Sequence, residues 1–395
     1  MIPLNEAFAI LDQKIKPKDF PTTVLKVKDA LGRIVAQDQK SQFDIPQFNR
    51  AAMDGYAVIK NETNNELQIL ETIAAGKSAT KKLQFGTTIK IMTGAPVPPD
   101  AEKIIPFELT TALACNKVKI VAQDKNINIS PQGEDLKCGD LIIKAGTKIG
   151  PVAIASLVMC GINELRVYQQ PKVIIISTGD EIVDIATKLE LGKIMNCNEP
   201  MLNALCMQHG LEVVASITVP DDSALTVKTL CEAASQADFI ILSGGVSQGE
   251  FDYVGAAMKE IGFTLHFNRV ALKPGKPTTF ATCNDKLIFG LPGNPAAVFL
   301  TFHLFVLRAL RHFLNIAEIN NYLSLPLASN FKRKNIQRTE FIPCVLNSDG
   351  SLQPLEFHGS AHIVALMLCN GFFIIEQNIA VLKAGDRVKF LPIGV

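Results

Sequence analysis

The feature that most restricts the fold of this chain is a pattern of strand, glycine-rich loop and helix that recurs between residues 171 and 313. Three apolar runs end in polar loops, in KVIIISTGDE, DFIILSGGVSQGE and KLIFGLPGNP, and AAVFLTFHLFVLRALRHF follows the last. Continuous apolar strands that alternate with helices are typical of a parallel sheet covered by helices. We therefore predict an α/β domain that binds its ligand with the loops at the carboxyl ends of these strands.

Composition limits the classes to which this chain can belong. Its 395 residues are enough for two or three domains of roughly 150 residues. The hydrophobic fraction of 48% excludes disorder, and a net charge of +1 gives no overall positive field for nucleic acid. The longest apolar run, within residues 296–307, is shorter than the ~20 residues of a membrane span, and the N-terminus lacks the pattern of a secretory signal. We expect a cytoplasmic protein that binds neither nucleic acid nor a membrane.

Cysteine and histidine patterns give little indication of a metal site. The nine cysteines include no CxxC pair, which disfavours a disulfide framework or structural zinc. His358 and His362 have a spacing that places two ligands on one helical face, but Gly359 and Ser360 between them favour a turn.

The distribution of apolar runs and turn residues changes along the chain and predicts four segments. Five short apolar runs separated by turn residues predict a β-rich module at 44–138: Tyr56–Ile59, Leu67–Ile73, Thr88–Met92, Lys103–Pro106 and Val118–Val121. The stretches on either side of it are predicted to pair across this insertion, and in the second of them Pro151 starts a helix that Gly161 caps. The predicted domains are 1–43 with 139–170, the module 44–138, the α/β domain 171–318, and a small C-terminal β domain 319–395. In the last of these, Ser348-Asp349-Gly350 is predicted as a hairpin turn.

The loops after the three strands carry residues suited to phosphate and a divalent cation. Gly179 permits a tight turn before two carboxylates, although a helix N-cap explains Asp180 equally well. Gly244 and Gly245 let backbone N–H groups approach an anion; the alternative is a flexible connector. In GLPGNP, Asn294 is predicted as an N-cap with Pro295 at the first helical position.

Cations follow in HFNRVALKPGKPTTF. Arg269 and Lys273 share one face if the segment is extended, and the Pro-Gly turn brings Lys276 near. A solvated basic edge is the alternative to a phosphate site.

The motifs FNRAAMDGYAV, IMTGAPVP, STGDE, SGGVSQGEFDY, KPGKP and GLPGNP occur in the order found in the molybdopterin molybdenumtransferases. From about residue 4 to its end, the chain resembles the MoeA family, which is related to the C-terminal domain of gephyrin. The resemblance implies a multi-domain fold of α/β plus β class: a molybdopterin-binding α/β domain with a parallel sheet, a β-rich inserted module, an elongated N-terminal domain and a small C-terminal β domain.

The resemblance also implies an activity. Such a protein is a cytoplasmic homodimer that inserts molybdate into adenylylated molybdopterin and releases AMP with the help of Mg²⁺. Its cleft lies between the α/β domain of one subunit and the inserted module of the other, and it contacts other proteins of molybdenum cofactor biosynthesis. A non-catalytic carrier or scaffold on the same fold, as gephyrin is a scaffold, is the alternative.

The site residues implied by the resemblance fall into two groups. The catalytic positions, among which Glu181, Asp222 and Asp252 hold Mg²⁺, are Asp54, Thr93, Glu181, Asp222, Asp252, Lys273 and Lys276. The substrate-binding positions are Asp135, Gly244, Gly245, Ser247, Arg269, Pro292, Gly293, Asn294, Pro295, Arg338 and Ser360. The chain departs from the family pattern at Ala51, Cys197 and Arg269; arginine keeps the charge at 269 but changes the donor geometry.

Overall fold

The structure, a computed structural model, describes residues 1–16, 20–122, 124–245, 254–316 and 322–393. Contacts within the chain divide it into two compact units. We call Thr23–Val167 the N-terminal unit, and Met1–Thr22 together with Tyr168–Val395 the main unit.

The N-terminal unit consists mainly of β structure. Its strands are β1 (Thr22–Lys26), β2 (Gln39–Lys40), β3 (Arg50–Ala51), β4 (Gly55–Ile59), β5 (Glu66–Ile73), β6 (Thr87–Ile91), β7 (Ala101–Pro106), β8 (Thr110–Leu113), β9 (Lys117–Ile120), β10 (Ile129–Ser130), β11 (Leu141–Ile143) and β12 (Glu164–Tyr168). Six of them form a sheet in the order β7-β4-β6-β5-β9-β8, in which β5 and β6 are parallel and the other pairs antiparallel. The pairs β1–β12, β2–β11 and β3–β10 complete the unit.

Alternation of side chains explains why this sheet is stable within the unit. Tyr56 and Val58 of β4 belong to one buried cluster, and Ala57 between them belongs to another. The sheet therefore buries apolar side chains on both faces. The five apolar runs predicted as strands in the module are confirmed as β4, β5, β6, β7 and β9, whereas β8 escaped prediction because it is largely exposed.

Helix α2 also lies in the N-terminal unit. It spans Pro151–Met159, and Gly161, with φ +86°, follows its C-cap. The predicted helix start and the glycine at its end are both confirmed, because proline suits the first turn and glycine tolerates the left-handed conformation.

The main unit contains the α/β sheet predicted from the strand and loop pattern. The helices of the main unit are α1 (Leu4–Lys14), α3 (Asn198–Gln208), α4 (Ser223–Gln236), α5 (Val254–Glu260), α6 (Pro295–Thr301) and α7 (Leu307–Phe313). Its first strands are β13 (Lys172–Thr178), β14 (Ile182–Val183), β15 (Ile194–Met195), β16 (Glu212–Val219), β17 (Phe239–Ser243), β18 (Thr264–Phe267), β19 (Leu272–Lys273), β20 (Thr279–Cys283) and β21 (Lys286–Leu291).

The sheet order is β16-β13-β17-β21-β20-β18. The first four strands are parallel: β13, β17 and β21 are the three predicted strands, and β16 was not predicted. The pairs β21–β20 and β20–β18 that extend the sheet are antiparallel. The antiparallel extension follows from the two-residue connection at Asn284, which has φ +50°, because a connection this short joins only antiparallel neighbours. Ile174, Ile240 and Ile288 lie in its buried core.

A second sheet closes the main unit. The remaining strands are β22 (Leu323–Pro326), β23 (Phe331–Lys332), β24 (Thr339–Leu346), β25 (Leu352–Pro354), β26 (Gly371–Ile375), β27 (Val381–Leu382) and β28 (Arg387–Pro392). The sheet runs β19-β24-β26-β28-β22, with β25 paired to β24. Its first strand, β19, therefore comes from the segment between two α/β strands. The predicted hairpin turn at Asp349-Gly350 is confirmed between β24 and β25.

The apolar stretch Pro295–Phe313 is α6, a π-helical turn (Phe302–Val306) and α7. By length and composition alone it could cross a membrane, but 72% of it is buried within the fold, as in a core helix.

Candidate active site

The carboxyl ends of three parallel strands meet at one edge of the α/β sheet. Ser243 Oγ, at the end of β17, lies 3.4 Å from Ser177 Oγ in β13. The N–H of Gly244 donates to the carbonyl of Leu291, the last residue of β21, at 3.3 Å. The structure thus brings together the three loops that the sequence analysis selected.

Gly244 and Gly245 pass so close to β13 that no larger residue fits. A Cβ at Gly244 would lie 2.5 Å from the carbonyl oxygen of Thr178, and one at Gly245 would lie 2.5 Å from Thr178 Oγ1. Both glycines also have positive φ, of +88° and +62°, which other residues rarely adopt. Thr178 Oγ1 is buried without a hydrogen-bond partner in the described structure, so a polar atom is left at the base of this glycine loop.

Asparagines hold the GLPGNP loop. Asn198, nine-tenths buried at the start of α3, donates through Nδ2 to the carbonyl of Gly293 at 2.7 Å. Asn294 occupies the predicted N-cap position of α6, but its side chain does not cap the helix. Its Nδ2 instead donates to Ser360 Oγ at 2.6 Å, and the Ser360 carbonyl accepts the N–H of Ala296 at 3.0 Å. Two predicted substrate-binding residues, Asn294 and Ser360, are thus in direct contact.

Two acidic pairs, Asp180-Glu181 and Asp221-Asp222, lie side by side at the same edge of the sheet. Asp180 Oδ1 accepts the N–H of Asp221 at 3.1 Å. Glu181 folds back over Gly179, where a Cβ would lie 2.6 Å from its Oε2. Asp222 is the N-cap of α4, and its Oδ1 accepts the N–H of Leu225 at 2.7 Å.

These contacts bear on the predicted metal ligands in two ways. The capping bond of Asp222 occupies Oδ1 and leaves Oδ2 for another partner. Within the described ranges, no group of three or more His, Cys, Asp or Glu could hold a metal ion. The third predicted ligand, Asp252, lies outside the described residues, as does Ser247.

The predicted cations lie beside the C-terminal sheet. Lys273 Nζ is 2.6 Å from Glu340 Oε1, and Arg333 Nη1 is 3.5 Å from Glu340 Oε2. Lys276 is exposed and Arg269 is half-buried, with its carbonyl accepting the N–H of Ile2. The sequence predicted cations near acidic loops of the α/β domain, and the described partner of Lys273 is instead a carboxylate of the C-terminal sheet.

A cavity of about 830 Å³ opens between this segment and the C-terminal sheet. Lys273, Arg338 and Ser360, all predicted from the sequence, line it together with Phe357 and Lys334. The cavity is contiguous with the GLPGNP loop through the Asn294–Ser360 hydrogen bond.

The N-terminal unit carries the remaining predicted residues. Asp54 Oδ1 accepts the N–H of Thr93 at 2.6 Å and its hydroxyl at 2.7 Å. These two hydrogen bonds lower the pKa of the Asp54 carboxyl. Asp135 is exposed, and its N–H donates to the carbonyl of Ile45. Asp54 and Thr93, 39 residues apart, therefore form one polar group.

Sequence reasoning missed several residues that shape the site. Asn198 contacts the predicted Gly293 and Glu340 contacts the predicted Lys273, yet neither belongs to a glycine loop or charge cluster. Thr178, in the STGDE loop, and Arg333, in the basic run at 332–334, lie in such patterns but were not selected. The available signal was the position of Thr178 at the end of an apolar strand.

Three family models together match almost the whole chain. The MoeA N-terminal region (domains I and II) matches residues 2–161, a probable molybdopterin binding domain matches 174–312, and the MoeA C-terminal region (domain IV) matches 324–393.

Relatives and solved structures agree with that assignment. A molybdopterin molybdenumtransferase of Staphylococcus aureus is 34% identical over 99% of this chain and 95% of its own, and one of Staphylococcus epidermidis is 32% identical over 97% and 93%. The crystal structure of the molybdopterin biosynthesis MoeA protein of Pyrococcus horikoshii OT3 matches with a TM-score of 0.85, 27% identity and full coverage of both chains. The chain therefore belongs to the MoeA family and has its multi-domain fold.

Proposed function

We propose that this chain is a molybdopterin molybdenumtransferase that inserts molybdate into adenylylated molybdopterin and releases AMP with the help of Mg²⁺. The observation that carries the proposal is that the loops after β13, β17 and β21 meet at one edge of the sheet. Curated relatives named molybdopterin molybdenumtransferase align with this chain over nearly their whole length. Glycine loops supply N–H groups for an anion, and the acidic pairs beside them suit a cation.

The α/β loops are suited to the pyrophosphate and molybdopterin part of the substrate. Gly244 and Gly245 would offer N–H groups to phosphate or molybdate oxygens, and Lys276 of the KPGKP motif would supply a cation. The buried Thr178 Oγ1 and Asn198 Oδ1 both lack partners among described residues, and a bound ligand or an ordered water would satisfy such atoms. Arg269, Pro292, Gly293 and Pro295 would shape the same loops.

The donor set fits Mg²⁺. This ion takes one or two carboxylates and completes its shell with waters and substrate phosphates. Glu181 and the free Oδ2 of Asp222 are such carboxylates on neighbouring loops, and Asp252 would be a third. Bound Mg²⁺ would neutralise charge on the phosphoanhydride as it breaks.

We infer that the protein is a cytoplasmic homodimer, with Asp54, Thr93 and Asp135 of one subunit facing the α/β loops of the other. Exposed apolar side chains support an interface between copies: Val152, Val158 and Met159 of α2 and Leu191 are each more than half exposed. Transfer contacts with other proteins of molybdenum cofactor biosynthesis belong to the same proposal.

We also propose the four-part domain division predicted from the sequence. The pairs β1–β12 and β2–β11 join chain on either side of residues 44–138, and the six-stranded sheet lies inside that range. Both observations support an inserted module between 1–43 and 139–170, followed by the α/β domain 171–318 and the β domain 319–395.

The test supplies purified protein with adenylylated molybdopterin, molybdate and Mg²⁺, and measures AMP and active cofactor. Asp222→Asn removes a carboxylate but keeps an N-cap of equal strength, so the fold survives. We expect this variant to lose on the order of 100-fold in AMP release. Its neighbour Asp221→Asn is the matched control and should keep near-normal activity.

Two results would contradict these proposals. If Asp222→Asn were as active as the near-normal Asp221→Asn control, Asp222 would not belong to the metal site. Tight binding of adenylylated molybdopterin by the unmodified protein without AMP release, with Mg²⁺ and molybdate present, would favour the carrier or scaffold.

A further inference from the structure

Residue Ile2 pairs with the segment that carries the predicted cations. It forms a parallel β-bridge with Val270: its N–H donates to the carbonyl of Arg269 at 3.0 Å, and its carbonyl accepts the N–H of Ala271 at 2.7 Å. Val270 and Ala271 are almost fully buried, so water does not readily replace these partners. The main chain on either side of Val270 is therefore held by a residue that is distant in the sequence.

The same stretch forms the base of the KPGKP loop. The N–H of Val270 donates to the carbonyl of Lys276 at 3.0 Å and closes this loop, which contains Lys273 and Lys276. Within the loop, Gly275 packs so closely on helix α6 that a Cβ there would lie 2.6 Å from the Thr301 side chain. Ile2 thus lies beside the point at which a tightly packed loop with two predicted cations is closed.

The C-terminal sheet does not take over this task at Arg269. The N–H of Leu272 donates to the Val270 carbonyl at 2.8 Å, which makes a three-residue turn. Strand β19 therefore begins only after the turn and pairs with β24 through two residues, Leu272 and Lys273. The main-chain pairing of Arg269 comes from Ile2 instead.

Helix α1, which follows Ile2, is anchored independently of this bridge. Its Phe8 ring packs on Phe305, with ring centroids 5.8 Å apart. Asp12 accepts a hydrogen bond from Arg308 Nε at 2.7 Å and lies 2.8 Å from His312 Nε2. Loss of the Ile2 hydrogen bonds should therefore leave α1 in place and change only the segment that Ile2 contacts.

We propose that Ile2 is a positioning residue for the active site and acts through the main chain of Arg269. The proposal rests on the proposed function, in which Arg269 binds the anionic substrate. Placement matters at this position because the planar fork of an arginine must be oriented toward the anion, whereas a lysine ammonium acts as a point charge. A displacement of about 1 Å at a site can cost up to about 100-fold in rate.

The test begins with a change of one main-chain donor. Ile2→Pro removes the N–H that donates to Arg269 and places a ring carbon against that carbonyl, whereas the matched control Ile2→Val keeps the N–H. Amide hydrogen exchange, followed by mass spectrometry, measures the pairing. We expect faster exchange in peptides that contain residues 269–272 in Ile2→Pro and unchanged exchange in Ile2→Val.

Turnover of adenylylated molybdopterin measures the consequence for the site. The KM should rise about tenfold in Ile2→Pro with kcat within about twofold, because a lost binding contact weakens ground state and transition state alike. Ile2→Val should leave both constants unchanged. The melting temperature of Ile2→Pro should change little, because α1 keeps its other contacts.

An Arg269→Ala background separates positioning from a general loss of structure. If Ile2 acts through Arg269, the addition of Ile2→Pro to Arg269→Ala should raise the KM by less than about twofold further, since the two changes remove the same interaction.

Three results would overturn the proposal: unchanged exchange in Ile2→Pro, an unchanged KM, or a rise in KM that is as large in the Arg269→Ala background as in the unmodified protein. Absence of AMP release from the unmodified protein would refute the transferase instead. The exchange rates would then decide alone whether Ile2 holds this segment.

Discussion

Replacement of Glu340 by glutamine tests how the C-terminal sheet tolerates a buried charge. Arg333 and Glu340 have side chains only 4% and 7% exposed, with Nη1 and Oε2 3.5 Å apart. The guanidinium also donates to the backbone carbonyls of Ile379, Arg338 and Glu376. Its N–H groups therefore keep acceptors in Glu340→Gln, but its charge loses its buried counter-ion.

The expected cost follows from that burial. Removal of one partner from a buried ion pair costs about 3–5 kcal/mol. Lys273 adds little, because its side chain is 48% exposed and reaches water without Glu340. At roughly 2–4 °C per kcal/mol for a unit of this size, the melting temperature should fall by roughly 6–20 °C.

Thermal unfolding followed by circular dichroism measures this shift. Glu232→Gln is the control, since the Lys228–Glu232 pair is 4.0 Å apart and more than half exposed, so its loss should cost at most about 0.5 kcal/mol. The double variant Arg333→Met with Glu340→Met should recover only part of the stability, because no lone charge remains buried but three backbone carbonyls lose the donor that Arg333 gave them. If Glu340→Gln melted with the control, the reasoning from burial would be wrong.

Three further predictions concern other parts of the chain. Gly55→Ala should cost about 1–3 kcal/mol by denaturant unfolding, because its Cβ would lie 2.2 Å from the carbonyl oxygen of a neighbouring strand, whereas Gly255→Ala, with open space around it, should cost nothing. Thr93→Val keeps the backbone hydrogen bond to Asp54 but removes the hydroxyl one, so it should partly raise the lowered pKa of Asp54 in a carbon-13 NMR titration; an unchanged pKa would show that the Thr93 hydroxyl does not contribute to the shift. Burial lowers the pKa of His303, so the folded state disfavours the protonated imidazole. The contribution of His303 to the free energy of unfolding is therefore complete above about pH 6.5, the pKa of the unfolded chain, and declines as the pH falls below that value. His303→Leu should flatten this decline in unfolding curves measured at successive pH values, and an unchanged slope would contradict the prediction.

Local patterns predicted the parts of this structure that local interactions determine. The apolar run before Gly179, the proline at the start of α2 and the Asp349-Gly350 turn each act on their own neighbours, and each appears as predicted. The family resemblance supplied the fold of the whole chain and selected Asp54. The Asp-Gly sequence by itself would indicate only a tight turn at that residue.

Pairing between distant residues could not be predicted in the same way. Nothing periodic marks Leu272–Lys273 as a strand of the C-terminal sheet, because two residues carry no pattern. The side chain of Asn294 fitted a helix cap, and only the fold reveals that Ser360, 66 residues away, binds it instead. Tertiary contacts overrode a correct local signal at this position.

The strand β19 has a consequence for how this protein can be recombined. Because Leu272 and Lys273 pair with Thr339 and Glu340, and Ser360 is hydrogen-bonded to both Asn294 and Ala296, the C-terminal domain is joined to its predecessor at two places far from the chain connection. In a chimaera that takes only residues 323–395 from a relative, β19 and the GLPGNP loop would come from one parent and the C-terminal domain that they contact would come from the other. Exchange of this domain between family members therefore requires residues 269–276 and 292–296 to travel with it.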